Sequence, residues 1–310
     1  MRIDTHVHIS SQSLPAPPVP AGVPGVPVVT ADAILGMMDR YEIDGAVLSP
    51  MALGLQRAEG AQAGKLARMV NEELAQTVAS HPNRFAGLTV LPLPDVDTAL
   101  TELTHSLDVL ELDGVLLMTN YRGAYVGDES WEPLYAELDR RGAYVFLHPS
   151  MPACGTALEH PPWLYEFTFD TTRVLANLIY NGILERYPRI RWQVAHCGGT
   201  APFLAERIAS LAVREPQMAQ KAPAGALEYL SRLYYDTGLS NNEIAYRTTR
   251  MVAPADRIVF GTDWPNLPLP EDTNDPGPGL AFLDETTRSA LDENAAVLVP
   301  RLARAITSSA

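Results

Sequence analysis

Eight short apolar or β-branched runs, alternating with amphipathic stretches, predict an α/β fold: one (β/α)8 TIM barrel spanning residues 1–310 as a single domain. Three observations carry this expectation. The alternation runs from end to end without a compositional break. Several of the runs end in His or Asp just before a Pro- or Gly-containing turn. Neither a GxGxxG nor a P-loop pattern follows a strand, which removes the main support for an open nucleotide-binding sheet. With 46% hydrophobic residues the chain can bury a large core, and barrels of this length are routinely one domain.

In chain order, strands are expected at Ile3–His8, Gly45–Ser49, Phe85–Leu91, Gly114–Met118, Tyr144–His148, Arg191–His196, Leu233–Asp236 and Ile258–Asp263. Helical spacing joins Leu66, Met69, Val70, Leu74 and Val78 into one stripe, and Leu100, Leu103, Leu107 and Leu110 into another. Further helices are expected through Thr172–Tyr187 and Phe203–Val213. Two proline-rich loops interrupt the rhythm, Leu14–Val29 after the first strand and Pro265–Gly279 after the last. Strands 1 and 8 are neighbours in a closed barrel, so these long loops are expected to form a lid over one mouth.

Composition excludes several classes of partner. Net charge is -14 and the basic residues form no dense cluster, which argues against nucleic acid or an anionic membrane. No apolar run is long enough to span a bilayer, and the N-terminus passes into Arg2-Ile3-Asp4 without the regions of a signal peptide. Two cysteines, Cys154 and Cys197, rule out a disulfide framework and are expected to be free thiols. Together these features point to the cytoplasm.

The chemistry concentrates at predicted strand ends. His6 and His8 stand one residue apart, so on a strand they share a face, the barrel interior. His148 ends AYVFLH, His196 ends RWQVAH and Asp263 ends IVFGTD. Buried imidazoles and a buried carboxylate need partners to offset desolvation, and a shared borderline divalent cation satisfies that need. Zinc is the expected ion, with manganese as the alternative. The fourth strand, DGVLLMTNY, carries no lysine that could bridge a second ion, so a single metal is expected. His81, His105 and His160 lie at a helix end, in a helix and in a loop, and are read as structural.

This arrangement of HxH, His, His and Asp resembles the amidohydrolase superfamily of metal-dependent hydrolase-type barrels. More narrowly, it resembles the branch containing aminocarboxymuconate semialdehyde decarboxylase and the aromatic decarboxylases. The resemblance runs through Asn71–Asp95, Gly114–Asp128, Val145–Ser150, Phe167–Ile208 and Val259–Pro265, and its LMTNY and FDTTR stretches look most like 6-methylsalicylate decarboxylase-type members. It implies His6, His8, His148 and Asp263 as ligands of one divalent ion, His196 as a catalytic histidine, and a homodimer. It also implies decarboxylation of a small aromatic or unsaturated acid such as an ortho-hydroxybenzoate, with Asp263 as proton donor and His196 holding charge or activating metal-bound water. Arg57 is the candidate for the substrate carboxylate, and Asn120, Tyr121 and Arg173 are further substrate-contact candidates. Hydrolysis of a lactone, amide or C–C bond by activated water is the alternative activity, and an inactive ligand-binding homologue is a third reading.

Overall fold

The computed structural model describes residues 1–14, 28–51, 55, 58–152 and 160–309. Eight parallel strands follow one another around the sheet: β1 (Ile3–Ile9), β2 (Gly45–Pro50), β3 (Phe85–Val90), β4 (Gly114–Met118), β7 (Tyr144–His148), β8 (Arg191–Val194), β9 (Tyr234–Asp236) and β10 (Ile258–Val259). A small antiparallel hairpin, β5 (Asn120–Tyr121) with β6 (Ala124–Tyr125), was not foreseen and stands beyond β4. The last strand returns to the first. Thr5 N–H donates to Phe260 O at 3.0 Å, Asp263 N–H to His6 O at 2.8 Å and His8 N–H to Trp264 O at 2.9 Å, which closes the barrel.

Local chemistry starts and stops the helices. α1 (Ala31–Arg40) begins where the Thr30 hydroxyl accepts the Ala33 N–H, and α3 (Val96–Asp108) where Asp95 accepts that of Thr98. α4 (Glu132–Arg141) ends at Gly142 in the left-handed conformation, φ 58°. Between α1 and α3, α2 (Gly60–Ser80) buries Ala63, Ala67, Val70, Leu74 and Val78. At about 1.5–3 kcal/mol for each large apolar side chain fully buried, that face dominates its stability. Asn71 on the same face is polar but satisfied: it exchanges hydrogen bonds with both backbone groups of Val90 and donates to Glu102. It thereby ties α2 to the end of β3.

Three expected helical stretches are corrected. Met69 is 45% exposed, because the buried face of α2 runs through the alanines instead. The Phe203–Val213 stretch is two short helices, α7 (Ala205–Ala209) and α8 (Leu211–Arg214), with Phe203 and Val213 more than four-fifths exposed. Upstream of these, the Thr172–Tyr187 stripe is divided by Gly182, φ 70°, into α5 (Glu166–Tyr180) and α6 (Ile183–Arg186). No helix among the described residues is long and apolar enough to cross a membrane.

Most of the loop Leu14–Val29, residues 15–27, lies outside the described residues. The loop after β10 touches the mouth through Asn266. Further along, the carbonyls of Pro270 and Glu271 accept hydrogen bonds from Tyr41 and Arg40 at the end of α1, so this part follows the outside of the barrel.

Candidate metal centre and adjoining cavity

β1 turns His6 and His8 to the same interior face, as its two-residue period requires, and β7 ends on His148. Asp263 comes from beyond β10. One donor atom from each of these four buried residues lies within 4.8 Å of the other three. His8 Nε2 is 2.9 Å from Asp263 Oδ1 and 3.2 Å from His6 Nε2, and His6 Nε2 is also 3.2 Å from Asp263 Oδ1. Such edges suit donors sharing one ion at about 2.0–2.2 Å. His148 supplies an independent indication. Its Nδ1 donates to Pro149 O at 2.8 Å, which leaves Nε2 as the lone-pair nitrogen, and that atom is buried without a hydrogen-bond partner. A buried orphan acceptor facing three other donors is the condition a cation relieves.

The electrostatics agree. Burial alone would depress His6, but attraction by Asp263 and Asp236 outweighs it and pushes the imidazole up to about 10. Burial would raise Asp263, yet His6 and the hydrogen bonds from His196, His6 and His8 hold it well below the usual carboxylate range. His148 is driven well below its ordinary value, by burial first and then by His8 and His6. The cluster therefore favours positive charge at its centre while keeping its third imidazole neutral, a state fit for ligation.

His196 sits just outside this set. Its Nε2 is 3.0 Å from Asp263 Oδ2, the oxygen opposite the one facing His6 and His8. The strands expected to end at His196 and Asp263 stop earlier, at Val194 and Val259. Both residues instead occupy left-handed turns, φ 57° and 60°, a conformation that costs a non-glycine residue about 1–2 kcal/mol. Tertiary hydrogen bonds hold them there: His196 N–H donates to Asp236 Oδ1 at 3.1 Å and Asp263 N–H to His6 O at 2.8 Å.

Asp236 was not foreseen as a site residue. Wholly buried at the end of β9, its Oδ1 accepts from His6 Nδ1–H at 3.1 Å, which directs His6 Nε2 to the centre. The signal was available: the strand YYD ends in an acid just before a Thr-Gly turn, the same pattern that singled out His148 and Asp263. Gly238 follows at close range and donates its N–H to Asp236 at 2.9 Å. A Cβ there would stand 2.7 Å from His6 Nδ1, so only glycine fits without moving the ligand.

Next to the four donors opens a cavity of about 250 Å³. About 150 Å³ suffices to hold a benzene ring, so a single substituted ring fits. Its walls are mostly apolar, including Leu55, Val90, Leu116, Met118 and Phe167, and its polar edge is His8, His148, Ser150 and Asn266. Asn266 also donates its side-chain N–H to Asp263 Oδ1 at 2.9 Å.

Of the expected substrate contacts, Tyr121 lines the cavity, its hydroxyl accepting from Met118 N–H at 3.1 Å. Asn120 and Arg173 do not line it. Asn120 is buried behind it, donating to Ser150, Met151 O and Asp170. Arg173 lies on the helix surface, 3.4 Å from Asp170 and 3.7 Å from Glu166. Both belong to a network around the fully buried Asp170, which also takes hydrogen bonds from Thr119 and Tyr125 and so knits α5 to the β5–β6 hairpin. The LMTNY and FDTTR stretches thus meet in space as a wall. Arg57 lies outside the described residues, as does Cys154. Cys197 is a buried free thiol turned toward Ser240 O, and burial pushes it up to about 12. His81 caps α2 and His105 lies within α3, both away from the centre.

The profile of the family described as Amidohydrolase matches residues 3–301. The chain is 33% identical to a 6-methylsalicylic acid decarboxylase of Aspergillus aculeatus over 98% of each chain. It is 32% identical to a 6-methylsalicylic acid decarboxylase of Penicillium expansum, covering 78% of this chain and 76% of the relative. Its fold matches a dihydroxybenzoic acid decarboxylase of Polaromonas, solved with bound manganese and the inhibitor 2-nitroresorcinol, with a TM-score of 0.81 at 22% identity and 96% coverage of both chains. A barrel that brings HxH, a third His and an Asp to one mouth, matched along almost its whole length, places this chain in the amidohydrolase family.

Proposed function

We propose that this chain is a metal-dependent, non-oxidative decarboxylase of a small hydroxybenzoate. The observation that carries the reading is the junction of the His6, His8, His148 and Asp263 cluster with an apolar cavity of single-ring size. Relatives that act on 6-methylsalicylic acid support it. His6, His8, His148 and Asp263 would hold one divalent ion. Manganese fits the ion bound in the Polaromonas structure and zinc fits the imidazole-rich donor set. When bound, such an ion supplies a Lewis acid that draws charge from the carboxylate and its ortho oxygen.

The remaining chemistry belongs to the chain. The apolar wall from Leu116 and Met118 to Phe167 holds the ring and excludes water. His196 Nε2, 3.0 Å from Asp263 Oδ2, shares a proton with that carboxylate. This pair delivers it to the ring carbon bearing the carboxylate. The electrons of the breaking C–C bond then return to the ring, aromaticity is restored and CO₂ leaves. Solvent reprotonates the pair. We also read the chain as one domain over residues 1–310, working as a homodimer in the cytoplasm. The exposed Trp163, Leu164 and Phe169 support self-association, and light scattering on the purified chain measures it.

The test incubates the Mn²⁺- or Zn²⁺-loaded protein with 6-methylsalicylate and with 2,6-dihydroxybenzoate in D₂O. The expected result is CO₂ and a phenol carrying one deuterium at the vacated carbon. Turnover of lactones or amides with no CO₂ from either acid would overturn the reading in favour of hydrolysis.

A further inference from the structure

Beneath the four donors runs a second row of buried polar groups that the proposed chemistry does not use. Tyr144, Gln193 and Asp236 come from the adjacent strands β7, β8 and β9, and all three are fully buried. The Tyr144 hydroxyl donates to Gln193 Oε1 at 2.7 Å. Gln193 Nε2 then faces two acceptors, Asp236 Oδ2 at 2.8 Å and Thr5 O at 3.4 Å. One donor on one side and two acceptors on the other leave the amide a single satisfied orientation. Asp236 is thereby held by Oδ2, and its Oδ1 is presented to His6 Nδ1–H, to the N–H of Gly238 and to the backbone N–H of His196.

One carboxylate oxygen therefore serves two masters. It sets the tautomer of a metal ligand, and it anchors the left-handed turn that places His196 against Asp263. We propose that Tyr144, Gln193 and Asp236 form a positioning relay that couples cation affinity at His6 to the placement of His196. This rests on the metal-site reading above. If the Asp236 carboxylate rotates, His6 loses the acceptor that keeps its proton on Nδ1, and His196 loses the bond that holds its disfavoured backbone. Both failures arise together, although neither Gln193 nor Tyr144 is placed to touch the ion or the substrate.

The relay predicts rescue by exchange. Gln193→Glu sets a carboxylate against a carboxylate, and Asp236→Asn sets an amide N–H against an amide N–H or against the His6 N–H. The double substitution restores one donor opposite one acceptor. Mn²⁺ affinity, measured by competition with a chelator, is expected to fall about 10–100-fold in each single variant and to recover at least tenfold in the double variant. At saturating Mn²⁺ the single variants should still show a lowered kcat with a nearly unchanged KM, because His196 is displaced. Tyr144→Phe, which removes one hydroxyl, should show the same pattern to a smaller degree, and thermal melts establish that each variant is folded. Folded single variants with wild-type Mn²⁺ affinity, or a folded double variant no better than the weaker single, would overturn the relay. A wild-type chain that binds neither Mn²⁺ nor Zn²⁺ would instead overturn the metal-site reading beneath it.

Discussion

The two halves of the barrel mouth differ sharply in chemistry. From β7 through β10 and back to β1, the strand ends and the turns beyond them carry His148, His196, Asp236, Asp263, His6 and His8, all buried; hydrogen bonds link the last five, and the His148 ring packs edge-on against His6 and His8. From β2 to β4 the same level carries Pro50, Val90, Leu91, Leu116 and Met118. One scaffold thus offers a charged hemisphere that can hold an ion and its proton chemistry, and an apolar hemisphere that can hold a ring. The contrast separates a candidate ion-binding half from a mostly apolar candidate ring-binding half, so each should be removable without the other.

The largest effect is expected from emptying the charged half. His8→Ala and His148→Ala should each lose the metal and reduce activity to background, because affinity depends on ligand number and geometry. Elemental analysis of the purified variants checks this. One equivalent of metal retained at full occupancy would remove the residue from the ligand set, and two per wild-type chain would refute a single-ion centre.

His196→Ala should divide the charged half further. The four donors remain, so metal content should stay near wild type while kcat falls about 10²–10⁴-fold, the range of a lost proton-transfer group. Near-normal turnover in the metal-replete variant would leave Asp263 to handle the proton alone.

The apolar half should fail differently. Met118→Ala removes ring contact without touching a donor, so metal content should change little, while melting falls because Met118 also packs against the core. Losing apolar contact in a binding pocket typically costs about 10–200-fold in kcat/KM, and the low end is expected here because Met118 is only partly buried. Metal loss in this variant would show that the halves are not separable.

The smallest effect concerns Cys197, next to His196 but outside both halves. Burial pushes its thiol up to about 12 and shields it from solvent, so in a Cys154→Ser background the folded protein should resist iodoacetamide at pH 8 and react only on unfolding. Cys197→Ala should keep metal and most activity. Rapid labelling of the native chain would contradict the packing described.

Much of the charged half was legible in advance. His6, His8 and His148 sit on true strands, where a two-residue period and an apolar run specify which side chains face inward. His196 and Asp263 come to the mouth as expected but not on strands: both occupy left-handed turns beyond Val194 and Val259, held there by long-range hydrogen bonds to Asp236 and His6. Asn120 and Arg173 show the opposite limit. A motif can mark residues that build a wall as readily as residues that touch a substrate, and only the hydrogen bonds to Asp170 separate the two.

The amino-acid sequence by itself determined the alternation of strands and helices, the barrel and the five candidates His6, His8, His148, His196 and Asp263, while the family resemblance separated four of them as ligands. These depend on periodicity and on residue chemistry, which are local or additive. The tertiary structure alone decided that Asp236 orients His6, that His196 faces Asp263 from a strained turn, and that the wall opposite is apolar. Each of those facts is a distance between strands far apart in the chain. Such distances are set by closure of the barrel and by buried hydrogen bonds that must be satisfied together, and no window of residues contains that information.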